Sequence, residues 1–154
     1  MNYWLLKSEP DTFGIEHLAA RPRRTAPWDG VRNYQARNFL RDEVRRGDLA
    51  FLYHSSCAAP GIAGIMRVVR SAYPDASAFD PANPHYDERS DPAAPRWFVI
   101  DVRLQRRVRR LITLAELRAH ERGKLRDMLL LRTGNRLSVT PLSAAHWHFI
   151  LTLE

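Results

Sequence analysis

Cysteine occurs once in these 154 residues, at Cys57, so no internal disulfide can staple the chain and a reducing compartment is the expectation. Lysine is nearly absent for so basic a protein: of 24 basic side chains only Lys7 and Lys124 are lysine. No apolar run approaches membrane-spanning length. The opening Met1-Asn2-Tyr3-Trp4-Leu5-Leu6-Lys7 reaches a charge within a few residues, which argues against a signal peptide or membrane span and for the cytoplasm. Internal repeats, linkers and a glycine-rich phosphate loop are also missing. Metal chemistry lacks a ligand set, because His146 and His148, two apart on a helix, point roughly 200° away from each other. No cofactor and no metal are expected.

What is present suits one soluble domain over residues 1–154, expected to act as a monomer: 45% hydrophobic residues are enough to build a core at this length. The net charge of +7 points toward a polyanionic partner, and its distribution matters more than its size. Arg21, Arg23, Arg24, Arg32, Arg37 and Arg41 form one basic group; Arg103, Arg106, Arg107, Arg109 and Arg110 form another, leading into a later helix. The acids Asp75, Asp80, Asp87, Glu88 and Asp91 gather instead between Pro74 and Pro95, a stretch with five prolines. A connection of that length in a compact domain is functional or covers something. We expect it to pack on the domain through Phe79 and Tyr86 and to position Trp97. A solvated arginine-rich face remains the plainer reading of either basic group.

Periodicity gives a mixed α/β order. Asn2–Lys7 reads as a strand, Ile15–Ala20 as a short helix, and Asn33 to about Val44 as a longer one. Asp48–His54 is a strand buried on both faces, and Ile62–Tyr73 a longer strand interrupted by Gly64. Arg96–Leu104 alternates as a strand should. Thr113-Leu114-Ala115-Glu116 is a capping box, Leu125–Leu131 reads as helical, Leu137–Val139 as a last strand, and Ser143 caps a terminal helix. Several strands with few βαβ units favour an α+β, barrel-like domain over a doubly wound sheet.

The densest chemistry lies in Trp28-Asp29-Gly30-Val31-Arg32-Asn33-Tyr34-Gln35-Ala36-Arg37-Asn38. Flat apolar rings beside planar hydrogen-bonding groups suit a nucleobase, which needs stacking on its faces and polar partners at its edge. Trp28 is the candidate stacking wall, with a core tryptophan as the alternative. Arg32 and Asn33 are candidates for reading a base edge, although Asn33 equally suits a helix cap. On a strand Tyr53 and Ser55 share a face and His54 opposes them, so all three reach one pocket only if the strand has ended by Ser55. Trp97 and Trp4 are either cage members or core.

Together with Tyr3-Trp4-Leu5-Leu6-Lys7-Ser8-Glu9-Pro10, Tyr53-His54-Ser55-Ser56, Pro60-Gly61-Ile62 and Arg132-Thr133-Gly134-Asn135-Arg136-Leu137-Ser138, this segment resembles the EVE domain over essentially the whole chain. The resemblance implies a PUA-like fold, a mixed β pseudo-barrel surrounded by short helices. It also implies recognition of a modified base, for example methylated or hydroxymethylated, in DNA or RNA. On that reading Lys7, Ser8, Arg132 and Ser138 join the candidate ligand-binding set. The related ASCH domains include nucleoside amidohydrolases, so Lys7-Ser8-Glu9 raises an enzymatic alternative. On a regular strand, however, Ser8 points away from Lys7 and Glu9 unless a bulge intervenes. Cys57 lies too close in sequence to His54 to make an obvious nucleophile–base pair. A binding module is therefore the expectation.

Overall fold

In the computed structural model, which describes residues 1–154, the apolar opening segment forms β1 (Tyr3–Ser8). Two short helices, α1 (Pro10–Phe13) and α2 (Ile15–Ala20), and a brief strand, β2 (Thr25–Pro27), follow. Helix α3 (Tyr34–Asn38) runs into a π turn at Phe39–Glu43 before β3 (Leu49–His54) and β4 (Gly61–Pro74). A long connection leads to β5 (Phe98–Thr113), α4 (Leu114–Arg118), β6 (Val139–Leu142) and α5 (Ala144–Leu151). No helix is long and apolar enough to cross a membrane.

The six strands pair as one mixed sheet in the order β2-β5-β4-β3-β1-β6. Only β1 and β3 run parallel, with Lys7 opposite Tyr53 and Ser8 opposite His54. The sheet does not close: β2 and β6 are its edges. Both faces are apolar because the central strands carry apolar residues at successive positions. On one face Trp4, Leu6, Ala50 and Leu52 pack with Ile15 and Leu18 of α2, Ala36 of α3, and Leu40 and Val44. On the other, Leu5, Phe51 and Tyr53 pack with Leu117 of α4 and Trp147 and Ile150 of α5. Trp147 lies flat on Phe51, ring centres 3.9 Å apart. Burying each such large side chain contributes about 1.5–3 kcal/mol.

Polar ties fix the strand ends. Buried Asp48 accepts hydrogen bonds from the Asn2 and Arg45 backbone N–H groups and from the Trp4 indole, each at 2.9 Å. Trp4 is thereby a core residue. The expected caps are in place: Asn33 accepts from Ala36 N, Thr113 from Glu116 N, and Ser143 from His146 N. Gly61 has a steric reason, since a Cβ there would lie 2.9 Å from Thr113 Cα on the neighbouring strand.

Several elements differ from expectation. The last strand is Val139–Leu142 rather than Leu137–Val139, because its pairing with β1 runs from Val139 opposite Leu6 to Leu142 opposite Tyr3, and the short edge strand β2 was not anticipated. Strand β5 continues through the arginine-rich stretch to Thr113; its pairing with β4 shifts register several times, and those irregularities hide the alternation in the sequence. The segment Leu125–Leu131 is not a helix. Asp127 sits at φ 65°, a left-handed conformation that interrupts helical propagation, and only a single turn at Leu129–Leu131 remains.

The proline-rich connection packs on the domain, but charges hold it where aromatic anchors were expected; Tyr86 is 43% exposed. Buried Asp75 accepts from the Gly30 N–H at 3.1 Å, from Arg32 at 3.0 Å, and from Ser77 N and Oγ. Gly30 is required there: its φ is +77°, and a Cβ would lie 2.6 Å from the His85 ring. Burial alone would raise the Asp75 pKa. The Ser77 hydroxyl, the Gly30 N–H and Arg32 together hold it below its ordinary value.

Candidate functional site

Two parallel strands ending side by side send their last residues to alternate sides of the sheet. Lys7 and Tyr53, in register, rise on the α5 face. Ser55 continues the ladder through its N–H to Ser8 O, at 2.9 Å, and so joins them. The Lys7 N–H donates to Ser138 O at 2.8 Å, which brings the loop after the Leu129–Leu131 turn alongside. Asn135 staples that loop: its amide donates to Leu129 O at 2.5 Å and accepts from Leu137 N at 3.0 Å.

The result is a cleft of about 530 Å³. Lys7, Tyr53, Ser55, Ser56 and Cys57 form its floor, Leu114 and Arg118 of α4 one wall, and Leu130, Arg132, Thr133 and Asn135 the other. No carboxylate lines it. Burial lowers the Lys7 pKa, and no carboxylate partner offsets that cost. Burial likewise raises the Tyr53 pKa, with Arg118 pulling it back, so the phenol stays protonated at neutral pH. The side chains of Lys7, Tyr53, Ser55, Arg132 and Thr133 make no hydrogen bond within the protein. Cationic and hydroxyl groups therefore converge here with their bonding capacity unused.

Four of the expected residues, Lys7, Tyr53, Ser55 and Arg132, meet in this cleft. The others lie elsewhere because the sheet divides them. Ser8 and His54 occupy the opposite face. The Ser8 hydroxyl donates to Phe13 O, and His54 Nε2 accepts from the Ile15 N–H at 3.1 Å. Burial lowers the His54 pKa, the neighbouring Glu16 opposing it, which suits a neutral acceptor. Trp28 is on that side as well, 5% exposed within the core and edge-on to Phe13, so neither ring face is open to a stacking base.

Arg32 is committed to structure. Its guanidinium makes five hydrogen bonds, to His85 O twice, Val31 O, Asp75 and Ser77, which exhausts its donors. Asn33 caps α3. Trp97 is buried, its indole donating to Asp87 at 2.6 Å, and stacks on Tyr34. Ser138 contributes its backbone carbonyl to Lys7 and does not line the cleft. Sequence reasoning missed Ser56, Cys57, Arg118, Thr133 and Asn135. Thr133 and Asn135 stood inside a motif already singled out, whereas Arg118 follows buried Leu117 on α4 and carried no signal of its own. No three His, Cys, Asp or Glu side chains converge as metal ligands.

The EVE domain family profile matches residues 2–153. Mouse thymocyte nuclear protein 1 is 48% identical over 168 aligned positions, covering 99% of this chain and 74% of that protein. Among solved structures, human THYN1 protein in complex with 5-methylcytosine-containing DNA superposes with a TM-score of 0.95 at 45% identity, covering 99% of this chain and 97% of that one. A protein from Pseudomonas putida superposes at 0.92 and 45% identity, covering 98% of each chain. The two-faced mixed sheet, the cleft at the end of its parallel pair and these matches lead to one conclusion: the chain belongs to the EVE domain family.

Proposed function

We propose that this chain binds DNA carrying a modified base, with 5-methylcytosine as the reference ligand, and that the cleft beside Lys7 and Arg132 holds the strand at that base. The observation that carries this reading is the convergence of unpartnered Lys7, Tyr53, Ser55, Arg132 and Thr133 in a cavity without a carboxylate. A half-buried cation with no counter-charge favours an anion, and in DNA that anion is a phosphate beside the base. The cavity volume falls within the usual range for small-ligand sites, about 300–1,000 Å³. Tyr53, Ser55 and Thr133 offer unpartnered hydrogen-bonding groups to a base edge, and Leu114 and Leu130 offer apolar lining to a methyl group.

A base inside a duplex must leave the stack to enter, at a cost of a few kcal/mol. Backbone contacts then supply net affinity, while one methyl adds only about 1–3 kcal/mol of discrimination. The human protein's complex supports DNA over RNA as the substrate. The amidohydrolase alternative draws no support from the geometry, since Ser8 faces away from Lys7 and donates to Phe13 O.

Titration calorimetry tests the reading with matched oligonucleotides: a 5-methylcytosine duplex, its unmodified twin and an RNA of the same sequence. The methylated duplex should bind about tenfold or more tightly. Arg132→Gln should weaken binding while leaving the melting temperature unchanged. Equal affinity for methylated and unmodified duplexes, or full binding by Arg132→Gln, overturns the proposal.

A further inference from the structure

Away from the cleft, Arg21, Arg23, Arg24 and Arg103 line an open depression of about 500 Å³ that contains no acidic residue. We infer that this arginine shelf is a second contact surface for the DNA backbone, set to grip phosphates of the same duplex whose modified base enters the cleft; the inference rests on the DNA reading above.

Three observations carry it. The first is selective neutralisation. Along β5, Arg106, Arg107 and Arg110 are paired with Glu154, Glu16 and Glu116, whereas none of the four shelf arginines forms an ion pair. Of the two unpaired arginines on β5, Arg109 shares its surface with Arg106, Arg107 and Glu154, whereas Arg103 meets only other unpaired arginines. The second is backbone conformation. Arg23 and Arg24 sit at φ 55° and 51°, a left-handed conformation that large side chains rarely adopt. Arg24 N donates to Arg21 O at 2.8 Å, and the Thr25 hydroxyl donates to Arg23 O at 2.9 Å while accepting from Arg103 Nε at 3.1 Å. That turn holds successive guanidinium stems beside Arg103. Arg21 is steadied over the Phe13 ring, 5.5 Å from its centre.

The third is placement. The register runs Arg103, Arg67, Leu49, Tyr3 across neighbouring strands, so Arg103 shares the sheet face of Tyr3 and Lys7. Three strand steps of about 4.8 Å and, at right angles, four residues of about 3.3 Å separate Arg103 from Lys7, a straight-line distance on the order of 20 Å. At about 3.4 Å per base pair, that is roughly six base pairs of duplex. A phosphate contact at that distance positions the duplex without reading its sequence.

The test compares wild type with a triple variant, Arg23→Gln, Arg24→Gln and Arg103→Gln, on two probes. One is a trinucleotide centred on 5-methyldeoxycytidine, which reaches only the cleft. The other is a duplex of about 12 base pairs with the modified base at its centre, long enough to reach both sites at 3.4 Å per pair. For the duplex, affinity should fall about tenfold at low salt, and the slope of log K against log salt should shrink by about 0.9 for each phosphate that the variant no longer neutralises. Trinucleotide binding and the preference for the methylated duplex should persist, and the matching Arg→Lys triple should retain most of the duplex affinity. Unchanged duplex affinity and salt slope overturn the shelf. The two readings fail separately: loss of methyl preference in wild type defeats the base reading, whereas the slope difference between wild type and variant judges the shelf.

Discussion

Arg32 is surrounded by acceptors it satisfies completely, and Asp75 beneath it is almost wholly buried, its side chain 2% exposed. Removing one member of such a pair leaves the other charge stranded, which typically costs about 3–5 kcal/mol. Arg32→Gln should therefore lower unfolding stability by about 3 kcal/mol, read from the denaturant midpoint. Because the folded Asp75 pKa is depressed, its contribution is complete above the ordinary carboxylate range and is lost as pH falls through the depressed value. The indole of Trp97, tied to Asp87 on the same connection, should report that acid release by fluorescence. Trp28→Ala should cost about 3–5 kcal/mol, as deletion of a core aromatic does. Loss of DNA binding without any loss of stability would instead make Trp28 a contact residue.

At the scale of elements, the local signals were legible and the long-range ones were not. Thr113 with Glu116, Ser143, and Asn33 each announced a helix start through a side-chain oxygen placed for an orphan N–H, and each does that work. The nearly continuous apolar sequence over Asp48–His54 identified a strand buried on both faces, observed as Leu49–His54. Hidden were the register shifts that carry β5 to Thr113 and the positive φ of Asp127, since neither has a fixed residue signature. The site was legible in part for a similar reason. Motifs adjacent in sequence alternate across the sheet, so Lys7 and Tyr53 reach the cleft while Ser8 and His54 reach the opposite face. Partner choice between faces depends on pairing, which one sequence does not display. Helix α4 links its cap to the cleft wall through Leu114 and Arg118. Thr113→Ala should cost about 1 kcal/mol. It should also weaken DNA binding modestly, measured by chemical denaturation alongside calorimetry. Full affinity in a destabilised variant would detach the α4 wall from binding.

Across the whole molecule, the charge of +7 is unevenly spread, with unpaired arginines gathered at the shelf and acids gathered on the proline-rich connection. The proline-rich connection keeps three of its five acids exposed: Asp80, Glu88 and Asp91 make no ion pair with an arginine or lysine. Latched by Arg32 and Asp75, the connection holds a negative patch in a fixed place, which would turn an approaching duplex away from that side. Such steering acts over about 8–10 Å in physiological salt and is screened beyond it. Neutralising the patch with Asp80→Asn, Glu88→Gln and Asp91→Asn should therefore raise the association rate at low salt for methylated and unmodified duplexes alike. The gain should fade as salt increases, and the dissociation rate and the preference for the methylated base should stay as they were. Stopped-flow association at several salt concentrations measures this. A changed dissociation rate, or a shift in preference, would mean that the connection touches the bound DNA and that the duplex lies across it.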